Sequence, residues 1–212
     1  MATLEVRRFV SEDLFAENCY VICNDETEEG YIIDPGEGGS RVASFVKGRG
    51  ITVKYILATH GHIDHVIKAR ELCDDLGAAF LIHKDDEVLL LALDEQARLF
   101  GYKVGARPKA DGYLDPKTTF SLGDSLIRVM HTPGHTRGSC CFIVDDEALF
   151  TGDTLFAGSV GRTDLFGGSS RDMSRSLLAL ASLPDKMTVY PGHGDVTTLG
   201  QEKISNPFLS FP

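Results

Sequence analysis

The chain lacks the features that would direct it to a membrane or to nucleic acid. Within its 212 residues no apolar run approaches the roughly 20 residues that cross a bilayer, and the first residues carry no apolar segment typical of a signal peptide. Positive charge is scarce, because 21 Lys and Arg stand against 31 Asp and Glu, a formal net charge of -10. Since nucleic-acid binding depends on clustered Lys and Arg, neither membrane nor nucleic acid is expected as a partner.

Cysteine is too irregular for a disulfide framework. The five cysteines are an odd number, and without an export signal they favour reduced thiols in the cytoplasm. The adjacent Cys140 and Cys141 have two interpretations, a redox pair or ordinary residues of a half-buried strand, and the second is favoured. The Gly-x-Ser-x-Gly motif of serine hydrolases is also absent, so no such nucleophile is expected.

Short runs of β-forming residues alternate with helical patterns along the chain. Strands are predicted at 4–10, 18–23, 31–34, 53–59, 79–83, 118–121, 124–131, 139–144, 148–151 and 187–190. Helices are predicted at 40–47, 65–76, 85–100 and 169–183, with a helical turn from Glu202, whereas 101–117 is expected to be a loop beside the site. Two β-rich halves with helices suggest two sheets covered by helices, in a single domain over residues 1–212.

Five of the seven histidines fall in three short segments, each at or after the end of a predicted strand. The segments are 59–65 (THGHIDH), 132–135 (TPGH) and 190–193 (YPGH), and a Thr-Gly-Asp run ends at Asp153 between the last two. Glycine or proline turns the backbone in each segment. Side chains on such loops can converge at one end of a rigid sandwich, which predicts a shared site.

The first of these segments has the spacing of two ligand pairs. His60 and His62 are two residues apart, so they point the same way in extended backbone. Asp64 and His65 stand where the next helix begins and face a different point, although Asp64 alone would also serve as a helix N-cap. Two such pairs fit two cations, each completed from the distant segments. Imidazole and carboxylate without thiolate predict a catalytic site for zinc, iron or manganese.

The His-x-His-x-Asp-His run, the later Pro-Gly-His, the Gly-Asp and the final Gly-His resemble the metallo-β-lactamase superfamily over the whole chain. This resemblance implies an α/β (α+β) fold, the αββα sandwich of two mixed sheets flanked by helices, with two divalent metal ions at one edge. Zinc is the expected metal, with iron or manganese as alternatives. The implied ligands are His60, His62 and His135 for one ion, Asp64, His65 and His193 for the other, and Asp153 as a bridge between them.

Residues 158–164 (GSVGRTD), followed by Leu165 and two glycines, resemble hydroxyacylglutathione hydrolase (glyoxalase II), in particular its short single-domain bacterial forms. The resemblance implies a thioesterase that cleaves S-D-lactoylglutathione or a related hydroxyacyl thioester through a metal-bound hydroxide, with Asp64 also orienting the water as a catalytic residue. Longer members hold glutathione with a C-terminal helical domain. Because this sequence ends soon after His193, weak binding of glutathione is expected.

Other activities of the superfamily are alternatives. Persulfide dioxygenases also carry a Gly-Arg-Thr-Asp stretch, and their single iron would be held here by His60, His135 and Asp153. The Leu-x-Gly-Gly context after Asp164 favours the hydrolase. Lactonases are a further alternative, and a scaffold without catalysis is disfavoured by the intact ligand set. Some antibiotic-hydrolysing members carry cysteine at the position of Asp153, so the chain departs from those lactamases.

Four polar residues near these motifs have two interpretations each. His83 and His131 are expected to be partly buried histidines with satisfied hydrogen bonds, the alternative for His131 being to orient a ligand histidine. Arg162 and Asp164 could bind a substrate carboxylate or form a salt bridge that shapes the loop after Asp153.

Overall fold

Two sheets pack face to face and helices cover both outer sides. The computed structural model describes residues 4–209, and within this range each sheet has six strands. The predicted sandwich of two mixed sheets flanked by helices is therefore confirmed. No helix in the described range is long and apolar enough to cross a bilayer.

The first sheet is built from the N-terminal half of the chain. Its strands are β1 (Leu4–Val10), β2 (Asn18–Asn24), β3 (Glu29–Ile33), β4 (Thr52–Leu57), β5 (Ala79–His83) and β6 (Gly112–Leu114). The strands lie in sequence order; β1 to β3 pair antiparallel, whereas β3 to β6 pair parallel. Parallel neighbours need crossover connections, which contain α1 (Gly39–Gly48), α2 (Ile63–Val66), α3 (Ala69–Leu76), the 3-10 turn Lys84–Asp86, α4 (Glu87–Leu91) and α5 (Leu93–Phe100).

The second sheet is built from the C-terminal half. Its strands are β7 (Thr119–Leu122), β8 (Ser125–His131), β9 (Cys140–Val144), β10 (Ala148–Gly152), β11 (Thr188–Pro191) and β12 (Thr197–Thr198), and its helices are α6 (Ser170–Ala181) and α7 (Leu199–Ser205). Strands β7 to β10 pair antiparallel, as the short connections predict. The pair β10 and β11 is parallel because α6 crosses between them.

Three apolar layers hold the sandwich together. Between the sheets, Tyr20 and Ile33 of the first sheet share a buried cluster with Phe142 and Phe150 of the second. A second cluster packs α1, α3 and α5 on the first sheet, and a third packs α6 on the outer face of the second. The strand ends are thereby fixed relative to each other, which positions the loops that follow them.

The predicted helices at 65–76 and 85–100 are each interrupted. Between α2 and α3 the amide of Lys68 donates to the carbonyl of Pro35 (3.0 Å), which lies in the loop between β3 and α1, so the bonding pattern of the helix is broken there. The second pattern becomes the 3-10 turn, α4 and α5, with a break at Ala92.

The two remaining weak patterns were predicted only in part. The expected loop at 101–117 contains β6, whose three residues are too few for a periodicity. The last helix begins at Leu199 and not at Glu202, because Thr198 caps it by accepting from the amide of Gln201 (3.3 Å). The predicted N-cap Ser169 is confirmed, since its hydroxyl accepts from the amide of Asp172 (3.2 Å).

Candidate metal centre

Seven side chains converge at one edge of the sandwich, where β4, β8, β10 and β11 end. The loop after β4 carries two ligand candidates and α2 carries two more, while each of the other three strands is followed by one. In chain order the seven are His60, His62, Asp64, His65, His135, Asp153 and His193. The structure thus brings together every ligand candidate of the sequence.

The side chains form two compact groups of potential ligands. In the first group, the ligand atoms of His60, His62 and His135 all lie within 4.8 Å of one another. In the second group, the same limit holds for Asp64, His65 and His193. These are the two sets that the resemblance implies, and together they form a His and Asp cluster suitable for a binuclear metal site.

Asp153 lies between the two groups. Its Oδ2 is 3.4 Å from Nε2 of His135 in the first group. Its Oδ1 is 3.3 Å from Nε2 of His65 and 3.6 Å from Nε2 of His193 in the second. One oxygen therefore faces each group, which is the arrangement of a bridging carboxylate.

Four of the five histidines are oriented by an oxygen atom behind the ring. The partners of their Nδ1 atoms are Thr59 Oγ1 for His60 (3.0 Å), Asp34 Oδ2 for His65 (3.1 Å), Arg162 O for His135 (2.7 Å) and Phe15 O for His193 (2.9 Å). A carbonyl only accepts hydrogen bonds, so Nδ1 of His135 and of His193 carries the proton and Nε2 is free to bind a metal. His62 differs by presenting Nδ1, which lies 2.8 Å from Nε2 of His135.

Asp34 controls the orientation of two ligands from behind. It accepts hydrogen bonds from the amide and hydroxyl of Thr59 at 2.6 and 2.7 Å. Since this hydroxyl donates to Asp34, it accepts from Nδ1 of His60. The sequence motifs did not reveal this role of Asp34, although its position at the end of the predicted strand 31–34 was an available signal.

Unpartnered atoms at the centre fit bound cations. Within residues 4–209, Nε2 of His60 and Oδ1 of Asp153 are buried and form no hydrogen bond of ordinary geometry. Nε2 of His65 and Nε2 of His193 face each other at 3.1 Å, an arrangement in which two neutral rings would oppose their lone pairs. Because buried polar atoms normally have partners, the donor set fits metal ions at this centre.

The protonation states of most groups suit metal binding, which requires neutral imidazole and ionised carboxylate. Burial and the neighbouring histidines lower the pKa of His60, and those same causes lower the pKa of His62 to about 4. Burial alone would raise the pKa of Asp153, but the charges of His65 and His135 hold it well below its usual value. His65 and His193 differ, because the carboxylates of Asp64 and Asp153 outweigh burial and raise the pKa of both rings.

The family sequence model of the metallo-beta-lactamase superfamily matches residues 13–193 of this chain. This span contains the whole ligand set. The chain belongs to the metallo-beta-lactamase superfamily. An uncharacterized protein of Mycobacterium leprae is 40% identical over 205 residues, which cover 91% of this chain and 93% of that protein. Hydroxyacylglutathione hydrolase GloC of Haemophilus influenzae is 37% identical over 205 residues, which cover 92% and 94%. Superfamily and relatives place the chain among the metallo-hydrolases.

Three solved structures have the same fold as this chain. The BLEG-1 B3 metallo-beta-lactamase superposes with a TM-score of 0.89 at 33% identity, over 98% of this chain and 100% of that one. TTHA1623 in a di-iron-bound form gives 0.85 at 34% identity, over 95% and 99%. ETHE1 from Myxococcus xanthus gives 0.78 at 27% identity, over 96% and 83%.

A cavity of about 230 Å³ opens over the two ligand groups. Its floor contains five of the ligand candidates, and its walls are mostly apolar. The apolar wall residues are Phe15, Phe100, Phe156 and Leu165. A substrate there would place its reactive group against the ligands and its remaining atoms against aromatic and aliphatic surface.

Arg162, which lines this cavity, forms with Asp164 the salt bridge that was one of the two interpretations of this pair. Nε and Nη2 of Arg162 donate to the two carboxylate oxygens of Asp164 at 2.8 and 2.9 Å. The pair is exposed, and the carbonyl of Arg162 orients His135. The loop after Asp153 therefore contacts the ligand set through its backbone.

The other polar candidates lie apart from the ligand set. His83 and His131 stack with ring centroids 4.3 Å apart, and both are partly buried. Nε2 of His131 contacts the carbonyl of Arg137 at 2.8 Å, so within the described residues no bond to a ligand histidine is seen. Cys140 and Cys141 are strand residues, but fully and not half buried, and burial raises the pKa of both thiols.

Proposed function

We propose that the chain is a metal-dependent thioesterase of the glyoxalase II type, which cleaves S-D-lactoylglutathione or a related hydroxyacyl thioester. The observation that carries this proposal is the pair of ligand groups joined by Asp153 beneath an open cavity. The similarity to hydroxyacylglutathione hydrolase GloC of Haemophilus influenzae supports the choice of substrate class. Zinc is the proposed metal, and the di-iron form of TTHA1623 makes iron the alternative.

The ligand groups assign a role to the bound metal. Two cations held there would act as Lewis acids, lowering the pKa of bound water toward ~7 and polarising a carbonyl. One cation would be held by His60, His62 and His135. The other would be held by Asp64, His65 and His193. Asp153 keeps the two positions adjacent.

Asp64 has a second task at this site, which is to orient the attacking water. It lines the cavity, and its Oδ2 lies 3.4 Å from Nε2 of His193. Burial would raise the pKa of Asp64, but the neighbouring His65 and His193 rings keep it lowered. The ionised oxygen can therefore accept a hydrogen bond from water and hold it toward the substrate carbonyl.

The leaving group explains why no further acid is needed. A thiol has a pKa near 8.5, so a thiolate departs without protonation by the protein.

Arg162 is the one cationic side chain among the described residues that line the cavity, and its guanidinium is already paired with Asp164. Glutathione thioesters are therefore expected to bind with a high KM.

A persulfide dioxygenase is the second candidate. The structural similarity to ETHE1 from Myxococcus xanthus is compatible with it, as is the contact of 3.4 Å between His135 Nε2 and Asp153 Oδ2. With His60 these residues would supply two imidazoles and one carboxylate to a single iron, the facial arrangement of non-haem iron enzymes.

The choice of metal separates the two candidates. Zinc has no redox chemistry, so it supports hydrolysis but not oxygen activation. We expect the zinc-loaded protein to hydrolyse S-D-lactoylglutathione or a related thioester in the absence of oxygen. Oxygen consumption with glutathione persulfide by the iron form, together with no thioester cleavage by the zinc form, would contradict the proposal.

A further inference from the structure

Asp86, the last residue of the 3-10 turn after β5, is a buried carboxylate outside the ligand set. It is only 1% exposed. Its Oδ2 accepts hydrogen bonds from the amide of Gly61 (2.9 Å) and the hydroxyl of Thr136 (2.7 Å). Its Oδ1 accepts one from the amide of Gly138 (2.7 Å). Donors from two separate loops thus converge on one side chain.

Each of these loops carries ligands of the first group. Gly61 is the residue between His60 and His62, and Thr136 directly follows His135. Every ligand of the first group is therefore a chain neighbour of a residue that donates to Asp86. The second group is anchored elsewhere, since its two rings are oriented by Asp34 and by the carbonyl of Phe15.

The two loops come from opposite sheets, so their spacing is not set by one strand ladder. One follows β4 of the first sheet and the other joins β8 to β9 of the second. A single backbone bond between the amide of Cys140 and the carbonyl of Thr59 (2.8 Å) also crosses there. The oxygen Oδ2 of Asp86 is a second link between the loops of the two sheets, and it lies beside the ligands.

The surroundings of Asp86 leave no space for a change in loop position. A Cβ atom on Gly138 would lie 2.7 Å from Cγ of Asp86. A Cβ on Gly61 would lie 2.8 Å from Cβ of Leu89 and 3.0 Å from the carbonyl oxygen of Asp86. Both positions therefore require glycine for the loops to close on this carboxylate.

We propose that Asp86 is a positioning residue for the first metal, which holds the loops of His60, His62 and His135 at the separation that a shared cation requires. It acts through backbone and hydroxyl donors and touches neither the cation nor the substrate. Hydrogen bonds to a carboxylate are roughly twice as strong as neutral ones, so they suit a task in which two loops must stay fixed. This role is independent of whether the substrate is a thioester.

Asp86→Asn tests the proposal with little change of shape. The Asn side chain keeps one acceptor oxygen, but an NH2 group replaces the other oxygen and cannot accept hydrogen bonds from the donors that face it. Loss of the partners that hold metal ligands typically weakens metal binding by about 10–100-fold. We expect a loss of at least ~10-fold in affinity for one of two metal equivalents, measured by titrating metal-free protein with zinc against a chelator, while the other equivalent binds as before.

Two comparisons make the result specific. The first is the same substitution in a His193→Ala background, which leaves only the first group intact. It shows whether the weakened binding step belongs to the first group. Asp111→Asn is the matched control, because its Oδ2 also accepts a backbone hydrogen bond, from the amide of Phe80 (2.9 Å), at the opposite end of β5. The control should bind both metals as the wild type does.

Two outcomes would overturn the proposal. The first is an unchanged metal affinity at both binding steps. The second is an equal loss of affinity at both steps, accompanied by a lower free energy of unfolding of the metal-free protein. If Asp86→Asn does not fold, Thr136→Val removes one donor at nearly constant volume. It should give a smaller loss at the same step, and unchanged affinity in this variant would equally refute the role of Asp86.

Discussion

At the scale of single residues, the metal centre depends on oxygen atoms that lie behind the imidazole rings. A carbonyl behind Nδ1 fixes both the tautomer and the direction of His135 and of His193, as partners of metal-ligating histidines generally do. Thr59 and Asp34 do the same for His60. The protein itself thus orients these ligand nitrogens, and Asp153 lies between the two groups.

Asp153→Ala tests this bridging role. Removal of the carboxylate takes an oxygen from each group, so we expect metal content below two equivalents and a loss of activity of roughly 100-fold or more. The sandwich should remain folded, because Asp153 lies at the edge and not in the three apolar layers.

Elemental analysis, activity and circular dichroism of the same preparation measure the three quantities. Full activity in a folded variant would remove Asp153 from the site. Asp164→Asn, at an exposed position on the same loop, is the control and should retain its metal.

At the scale of elements, the end of α5 and the loop before β2 build one wall of the cavity. The ring of Phe15 meets that of Phe100 edge-on at 5.5 Å and stacks on Tyr102 at 5.7 Å. Phe15 and Phe100 also line a wider groove of about 770 Å³ on their other side. The two rings therefore separate the cavity over the ligands from that groove.

Phe100→Ala should open this partition. Burial of an aromatic side chain contributes about 1.5–3 kcal/mol, so a thioester that packs on the ring should show KM raised by about tenfold, with kcat and metal content nearly unchanged. Steady-state kinetics measure the effect, and Leu99→Ala is the control, because Leu99 is 72% exposed and does not line the cavity. A fall in kcat at constant KM would contradict the role of the wall.

The elements also show where sequence reasoning ends. The break between α2 and α3 depends on the carbonyl of Pro35, about thirty residues earlier in the chain, which accepts the amide of Lys68. Strand β6 exists because Gly112 and Leu114 pair with β5, and three residues carry too little periodicity to reveal it. Local patterns predicted the longer strands and the helices α1 and α6 because each buries a continuous apolar face.

At the scale of the whole molecule, the sandwich brings distant segments to one edge. The ligand candidates could be found from sequence, because glycine or proline turns after strands mark them and the spacing within residues 59–65 is local. Asp86 could not be found in this way, since its donors Gly61, Thr136 and Gly138 approach it from two loops of opposite sheets. Such a role is visible only when the packing of both sheets is known.

We propose that this edge of the sandwich holds two metal ions, one in each ligand group. Metal stoichiometry of the purified protein, measured by elemental analysis after incubation with excess zinc and removal of free metal, tests it most directly. We predict close to two equivalents per chain, and close to one for His193→Ala, which strips the second group of an imidazole. A value of one for the unaltered protein, unchanged by added zinc, iron or manganese, would contradict the two-metal account.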